Sequence, residues 1–332
     1  MIPISICVIA KNEQKHIENF FKNIQNALGN YPYEIIFVDT GSTDNTVFLA
    51  SQFVPRVYHF AWIQDFSAAK NYALSIAHNH YILFLDCDEY LTAMDTKCID
   101  LFVTQHPTSL GVININNHLP SDNADRIRSD KVTRFFNKDY YHFEGAVHEQ
   151  LLPFDSSHKS SHVSLPVTIE HLGYQGTPEE LHAKVQRNNS ILFDMLNQNP
   201  NDPYIYFQLG ASYSMIKDYE NAYIYYGKGL EFDVDPRLRY VQEMVLGYGY
   251  AMLETNRFEE ALNFEGIFEE FGNLSDFLTL MGLIYLRNGI IDRGYVMFEK
   301  ATNAPEYIDE DTRTIIPQKN MAIIESVLNG AT

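Results

Sequence analysis

Six apolar positions broken only by Ser5, "ISICVIA" (4–10), precede a stretch from about Gln14 to Leu28 in which apolar residues return every three or four positions. The first pattern suits a strand buried on both faces, the second an amphipathic helix. The alternation repeats: "YEIIFVD" (33–39) precedes "STDNTVFLASQF", "RVYHFA" (56–61) precedes "FSAAKNYALSIAH", and then "YILFLD" (81–86) arrives. Strands alternating with helix-length segments predict βαβ units, so the N-terminal half is expected to be α/β, a mostly parallel sheet flanked by helices. Ligands gather beyond the carboxyl ends of such strands, which directs attention to the polar residues that follow each one.

The strand pattern disappears at "GTPEE" (176–180), where Thr177 offers a cap and Pro178 a first helical position. Helix-period apolar residues continue to the end, so the expected domains are 1–178 and 179–332, the second all-α. Within it Tyr206, Leu209, Gly210 and Tyr213, followed by Ala222 and Tyr226, resemble the tetratricopeptide repeat with Tyr in place of Trp. Weaker copies hold Tyr248, Gly249, Met252 and Ala261, then Met281, Gly282, Tyr285, Gly294, Phe298, Ala301 and Pro305. The equivalent glycines, Gly210, Gly249 and Gly282, fall 39 and 33 residues apart. Small residues there let paired helices approach closely. The resemblance implies either a surface for a peptide, a protein or a second copy of the chain (a homodimer through the helical domain), or a structural brace.

The formal net charge of -19 excludes a nucleic-acid or anionic-membrane partner, because both require a basic surface. A polyanionic ligand must then be held by a metal or a few placed cations. No apolar run approaches the ~18 residues of a membrane span, and the N-terminal run lacks the basic flank and cleavage site of a signal peptide. Cys7, Cys87 and Cys98 are an odd set without metal-ligand spacing. They are expected to be reduced, in a cytoplasmic setting.

Reading the strand ends gives the candidate chemistry. After the first come Lys11, Asn12 and Glu13; after the second, Asp39 and then "TGSTDNT", where Gly41 permits a turn and Ser42 or Thr43 can cap a helix. Asp65 is placed to cap the third helix, with Lys70 one turn inside. "YILFLDCDEYL" (81–91) runs five apolar residues into Asp86, Asp88 and Glu89. In an extended segment Asp86 and Asp88 share a face while Cys87 turns to the other. Such a pair raises its own proton affinity unless a cation lies between, and Mg2+ or Mn2+ takes oxygen ligands together with substrate phosphates. Helix capping does not account for the pair, since "TAMD" (92–95) carries its own capping box.

"SICVIAKNE", "IIFVDTGSTDNT", "DFSAAKNYAL" and "ILFLDCDEYL", in this order and spacing, resemble the inverting nucleotide-sugar glycosyltransferases of family 2, which have the GT-A fold. The match covers roughly residues 3–178. The resemblance implies that Ala10, Lys11, Asn12 and Glu13 form the first nucleotide-binding loop. Asp39 would bond the uracil, and Lys70 would lie near the phosphates. Asp88 would ligate Mg2+ or Mn2+, with Asp86 at the ribose or the metal and Glu89 orienting the donor sugar. The segment 131–151, "KVTRFFNKDYYHFEGAVHEQL", resembles the R-x-F…G-x-x-H-E stretch beside the acceptor in a subset of the family. It supplies Glu149 or Glu144 as catalytic base, and His148 either as a third metal ligand or as a core-facing strand histidine. "IEHLGY" adds His171 and Tyr174. Lys184 and Arg187 share a helix face that would clamp the diphosphate or simply be solvated.

Inverting transfer needs a cation on the leaving UDP and a base on the opposite face of the sugar. The expected function is therefore transfer of a hexose or N-acetylhexosamine from a UDP-sugar to a peptide Cys, Ser or Thr, or to a glycan. Family members that join this domain to tetratricopeptide-like helices include bacterial core and cell-surface glycan enzymes and the peptide transferases of glycocin clusters. The other readings are a peptide-binding scaffold carrying an inactive transferase domain, and a nucleotidyltransferase, whose glycine-rich basic loop "AKNEQKH" does not supply.

Overall fold

The computed structural model describes residues 1–119, 126–173 and 177–330. It divides into two compact units, Met1–Pro178 and Glu179–Thr332.

The first unit contains β1 (Ile4–Ala10), α1 (Ile17–Leu28), β2 (Tyr33–Asp39), α2 (Thr46–Ala50), β3 (Val57–His59), α3 (Phe66–Ile76), β4 (Tyr81–Phe84) and β5 (Glu89–Met94). It continues with α4 (Thr96–Gln105), β6 (Leu110–Leu119), β7 (Arg126–Asn137), β8 (Tyr141–Glu144), β9 (Gln150–Pro153) and β10 (His162–His171). Eight strands form one sheet in the order β3-β2-β1-β4-β7-β6-β10-β5, with β8 and β9 a separate hairpin. The expected βαβ half is present: β1 pairs in parallel with β2 and β4, and β2 with β3. Beyond β4 the sheet is mixed rather than mostly parallel, because β7 runs antiparallel to both β4 and β6 and β5 runs antiparallel to β10.

Strand alternation divides the apolar residues between two cores. Ile6, Val8, Phe37, Leu83 and Phe135 face α1, which buries Ile17, Phe20, Phe21, Ile24 and Leu28 at helical spacing. Cys7, Ile36, Val38, Ile82 and Phe84 face Ala73 and Leu74 of α3 and Tyr141 and Phe143 of the hairpin. Each such aromatic or aliphatic side chain removed from water contributes roughly 1.5–3 kcal/mol. Cys7 and Cys87 are buried free thiols, and burial pushes the Cys7 thiol well up.

The sheet's edges set the site. α3 begins at Asp65, which accepts from Ala68 N at 2.8 Å. Asp95 caps α4 through Lys97 N and Cys98 N, whereas Thr92 belongs to β5 and bonds Thr168 O, so the expected capping box is reduced to its aspartate.

The second unit is helical: α5 (Pro178–Gln198), α6 (Pro203–Met215), α7 (Tyr219–Leu230), α8 (Arg239–Glu254), α9 (Phe258–Ala261), α10 (Phe268–Phe271), α11 (Ser275–Arg287), α12 (Ile291–Thr302) and α13 (Ile315–Gly330). The repeat glycines act as close-approach points. A methyl group on Gly210 would stand 2.5 Å from the Tyr226 ring, and one on Gly282 2.5 Å from Phe298. In the middle copy Gly249 packs on Leu280, and the second helix is broken by a 3-10 turn at Leu262–Ile267 between α9 and α10. Among the described residues no helix is long and apolar enough to cross a membrane.

Candidate functional site

The loops that follow β1 and β2 are laced together. Ser42 Oγ accepts from Asn12 N at 2.9 Å, Asn12 Oδ1 from Thr43 N at 2.8 Å, and Thr46 Oγ1 from Glu13 N at 2.7 Å. Asn12 adopts a left-handed backbone (φ 58°), which its short amide side chain tolerates. Ser42 and Thr43 are therefore spent on the neighbouring loop rather than on capping α2, whose N-cap is Asn45. Asp39 is buried, and its carboxylate accepts from Gly41 N and Ser42 N, both at 3.1 Å. Ala10 is buried at the end of β1 and Lys11 is exposed. These loops form a fixed floor of backbone amides and small polar groups.

β4 leads from Phe84 into the acidic segment. Cys87 is buried while Asp86 and Asp88 keep 41% and 25% of their side chains exposed; the segment is a turn rather than the expected extended run, with Glu89 N donating to Asp86 O at 3.0 Å. His171 pairs opposite Glu89 where β10 meets β5, and this register sets its Nε2 3.6 Å from Asp88 Oδ2. The other ring nitrogen is fixed by Asn117 Oδ1 at 2.7 Å. Burial alone would lower the proton affinity of His171, but Asp88 outweighs it and raises the imidazole. Gly173 completes the contact by leaving no side chain between Asp88 and His171. Tyr174 lies outside the described residues.

Burial and the neighbouring Asp88 carry the Glu13 carboxyl up to about 7. Glu89, expected at the donor sugar, is instead 2% exposed: Arg134 Nη2 donates to its Oε1 at 2.5 Å and Asp86 N to its Oε2 at 3.0 Å. The same Nη2 reaches Asp86 Oδ2 at 3.4 Å. Glu89 thus holds the acidic turn from beneath.

Lys70 is not a solvated helix lysine. It is buried, its Nζ lies 4.8 Å from the Phe84 ring centroid and 5.2 Å from that of Phe143, and it forms an ion pair with Glu149. The two residues expected at the phosphates and at the acceptor therefore meet. Glu144 is exposed and accepts from or shares a proton with His142 Nε2 at 2.7 Å. His148, weighed as a metal ligand or a core strand residue, is exposed in the hairpin turn with φ 54°, so the core placement is overturned. Lys184 and Arg187 are exposed on α5 in the second unit, Arg187 donating to Asn188 Oδ1.

Among the described residues no three His, Cys, Asp or Glu side chains are arranged to hold a metal by themselves. The donor set nevertheless fits a hard divalent cation: Asp86 and Asp88 are partly exposed oxygen donors, and His171 stands beside Asp88. Ions such as Mg2+ take one or two carboxylates and complete their shell with water and phosphate oxygens. Sequence reasoning assigned no role to Arg134, although it quoted the R-x-F that contains it, and named His171 only as part of a polar cluster.

Residues 5–160 match the family model described as Glycosyl transferase family 2. A TPR repeat-containing protein of Synechococcus elongatus is 26% identical over 267 residues, which are 76% of this chain and 62% of that protein. The SPbeta prophage-derived glycosyltransferase SunS of Bacillus subtilis is 24% identical over 236 residues, 68% of this chain and 53% of SunS. The chain thus spans 62% and 53% of the length of these two relatives. Among solved structures, residues 1–349 of S. aureus TarS share 13% identity at a TM-score of 0.37, covering 100% of this chain and 92% of that one. A likeness of that degree carries no argument about chemistry.

Proposed function

We propose that the first unit, which matches the Glycosyl transferase family 2 model over residues 5–160, works with the tetratricopeptide-like helical region to transfer a hexose or N-acetylhexosamine from a UDP-sugar, with inversion, to a peptide Cys, Ser or Thr side chain or to a glycan. The observation that supports the reading is the acidic turn that follows β4: Asp86 and Asp88 both partly exposed, with His171 Nε2 3.6 Å from Asp88 Oδ2.

Asp88 and Asp86, with His171 behind Asp88, would hold Mg2+ or Mn2+, which when bound neutralises the departing diphosphate. The laced loops around Asn12, Asp39 and Ser42 form a rigid edge for the uracil and ribose. Glu149, anchored by Lys70, is the base of choice for the acceptor proton; Glu144 is the more exposed alternative. The helical region would present the acceptor.

The test is UDP release from UDP-glucose, UDP-N-acetylglucosamine and UDP-galactose with Mn2+, with and without candidate peptides. Asp88→Ala should abolish both metal-dependent UDP binding and release. Unchanged binding and release in that variant would sink the reading in favour of a scaffold with an inactive domain.

A further inference from the structure

Arg134 occupies an irregular point in the sheet. Along the β6–β7 ladder Gly111 pairs with Phe135 and the next residue, Val112, pairs with Thr133, so Arg134 is the extra residue of a β-bulge. The two ends of the bulge confirm it: Val132 and Phe135 pack on the same core although three residues apart, where unbroken alternation would put them on opposite faces. Bulges of this kind re-aim a side chain and recur beside active sites. Gly111 makes room for it, since a methyl group there would stand 2.9 Å from Phe135 Cβ and 2.5 Å from Leu165 Cδ1.

The re-aimed side chain arrives at the acidic segment because Phe135 pairs with Leu83 of β4, three residues before Asp86. Its Nη2 bonds buried Glu89 at 2.5 Å and reaches half-exposed Asp86 at 3.4 Å, while its buried Nε has no partner. A guanidinium that served only to neutralise Glu89 would need neither the second contact nor the bulge. Charge on this residue is secure: burial opposes it, but Glu89, Asp86 and Glu149 more than compensate.

We propose that Arg134 is a positioning residue, a bulge-directed guanidinium that braces Asp86 against Glu89 and so turns the Asp86 carboxylate towards the bound nucleotide-sugar. The inference rests on the reading of this site as a nucleotide-sugar site. Reach is what matters, because the one Nη2 that meets both carboxylates lies an atom further along the side chain than a lysine ammonium would. Arg134 acts through Asp86 and takes no part in the bond-making itself.

Arg134→Lys keeps a charge for Glu89 and removes the span. The expected result is a melting temperature close to that of the unaltered protein, a rise in KM for the UDP-sugar, and a kcat/KM lower by about 10–100-fold, the range for residues that orient a ligand or metal group. Guanidinium ion added to Arg134→Ala should restore part of the rate. The double variant Glu89→Gln, Arg134→Gln removes both buried charges together, so it folds where a single loss would not, and it should lose the same activity. Full kcat/KM in the lysine or the double variant overturns the proposal. If the unaltered protein releases no UDP from any donor, the functional reading fails separately. The brace is then judged from a crystal structure of Arg134→Lys: Asp86 displaced from Glu89 supports it, and Asp86 left in place overturns it.

Discussion

Gly173→Ala tests whether Asp88 and His171 form one functional unit. Gly173 does not use the left-handed backbone, so alanine imposes no backbone strain there, and the whole effect comes from the added methyl. That methyl would stand 2.5 Å from His171 Nε2, 3.2 Å from Asp88 Cγ and closer still to Asp88 Oδ2, against an ordinary contact of 3.4–4 Å. Both side chains must therefore retreat, by about 1 Å each. Moving two partly exposed side chains off their rotamers costs about 1–3 kcal/mol of stability in total. Displacing a metal-orienting pair lowers affinity by about 10–100-fold. The assay is calorimetric titration of Mn2+ into the UDP-saturated protein, with thermal unfolding alongside. A folded alanine variant that binds Mn2+ as the unaltered protein does would refute the joint role of Asp88 and His171.

Two further perturbations probe different parts of the site. Lys70→Met leaves Glu149, 15% exposed in the pair, beside a thioether and two aromatic rings without its cation; chemical denaturation should show a loss of about 3 kcal/mol, and no loss would mean that the pair is solvated in solution. Glu13 supplies a pH dependence: its carboxyl holds a proton to about 7 in the folded protein and to 4.5 when unperturbed, burial and Asp88 being the cause. The folded state binds more protons across that interval, so stability of the metal-free protein should fall as pH rises from 4.5 to 7 and level off above. Thermal unfolding at several pH values should show this slope flattened in Glu13→Gln, and an equal slope in both proteins would remove Glu13 as its source.

Strands β1, β2 and β4 were legible because both their faces are buried and their runs are continuously apolar, and their boundaries carried the site with them: Asp39, Asp86 and Asp88 simply follow the last apolar residue. β6, β7 and β10 were not, because "LGVININNHL" and "RIRSDKVTRFFN" alternate apolar and polar residues and pair out of chain order, β7 inserting between β4 and β6. That insertion brings Arg134 to the acidic segment from 45 residues away, and the placing of β10 between β6 and β5 brings His171 from 83 residues away. The burial of Glu89 has the same origin. As one of three acids within four residues of a strand end it reads as a ligand group, and only the arrival of Arg134 from β7 makes its burial affordable in free-energy terms.

The charge balance then explains why the site keeps acids that folding does not need. Arg134 satisfies Glu89 and touches Asp86, and Lys70 satisfies Glu149, so these two buried cations are already committed. Asp88 faces His171 at 3.6 Å, and burial together with Asp88 raises the Glu13 carboxyl to about 7. A scaffold under selection for stability alone would lose by keeping Asp88 and Glu13 together, since each raises the cost of ionising the other. On the proposed function, a divalent cation arriving with a diphosphate would reverse that cost, favouring the ionised form of both carboxyl groups and releasing the Glu13 proton. Mn2+ and UDP added together should therefore stabilise the protein more at pH 7.5 than at pH 5, and Asp88→Asn should remove the difference.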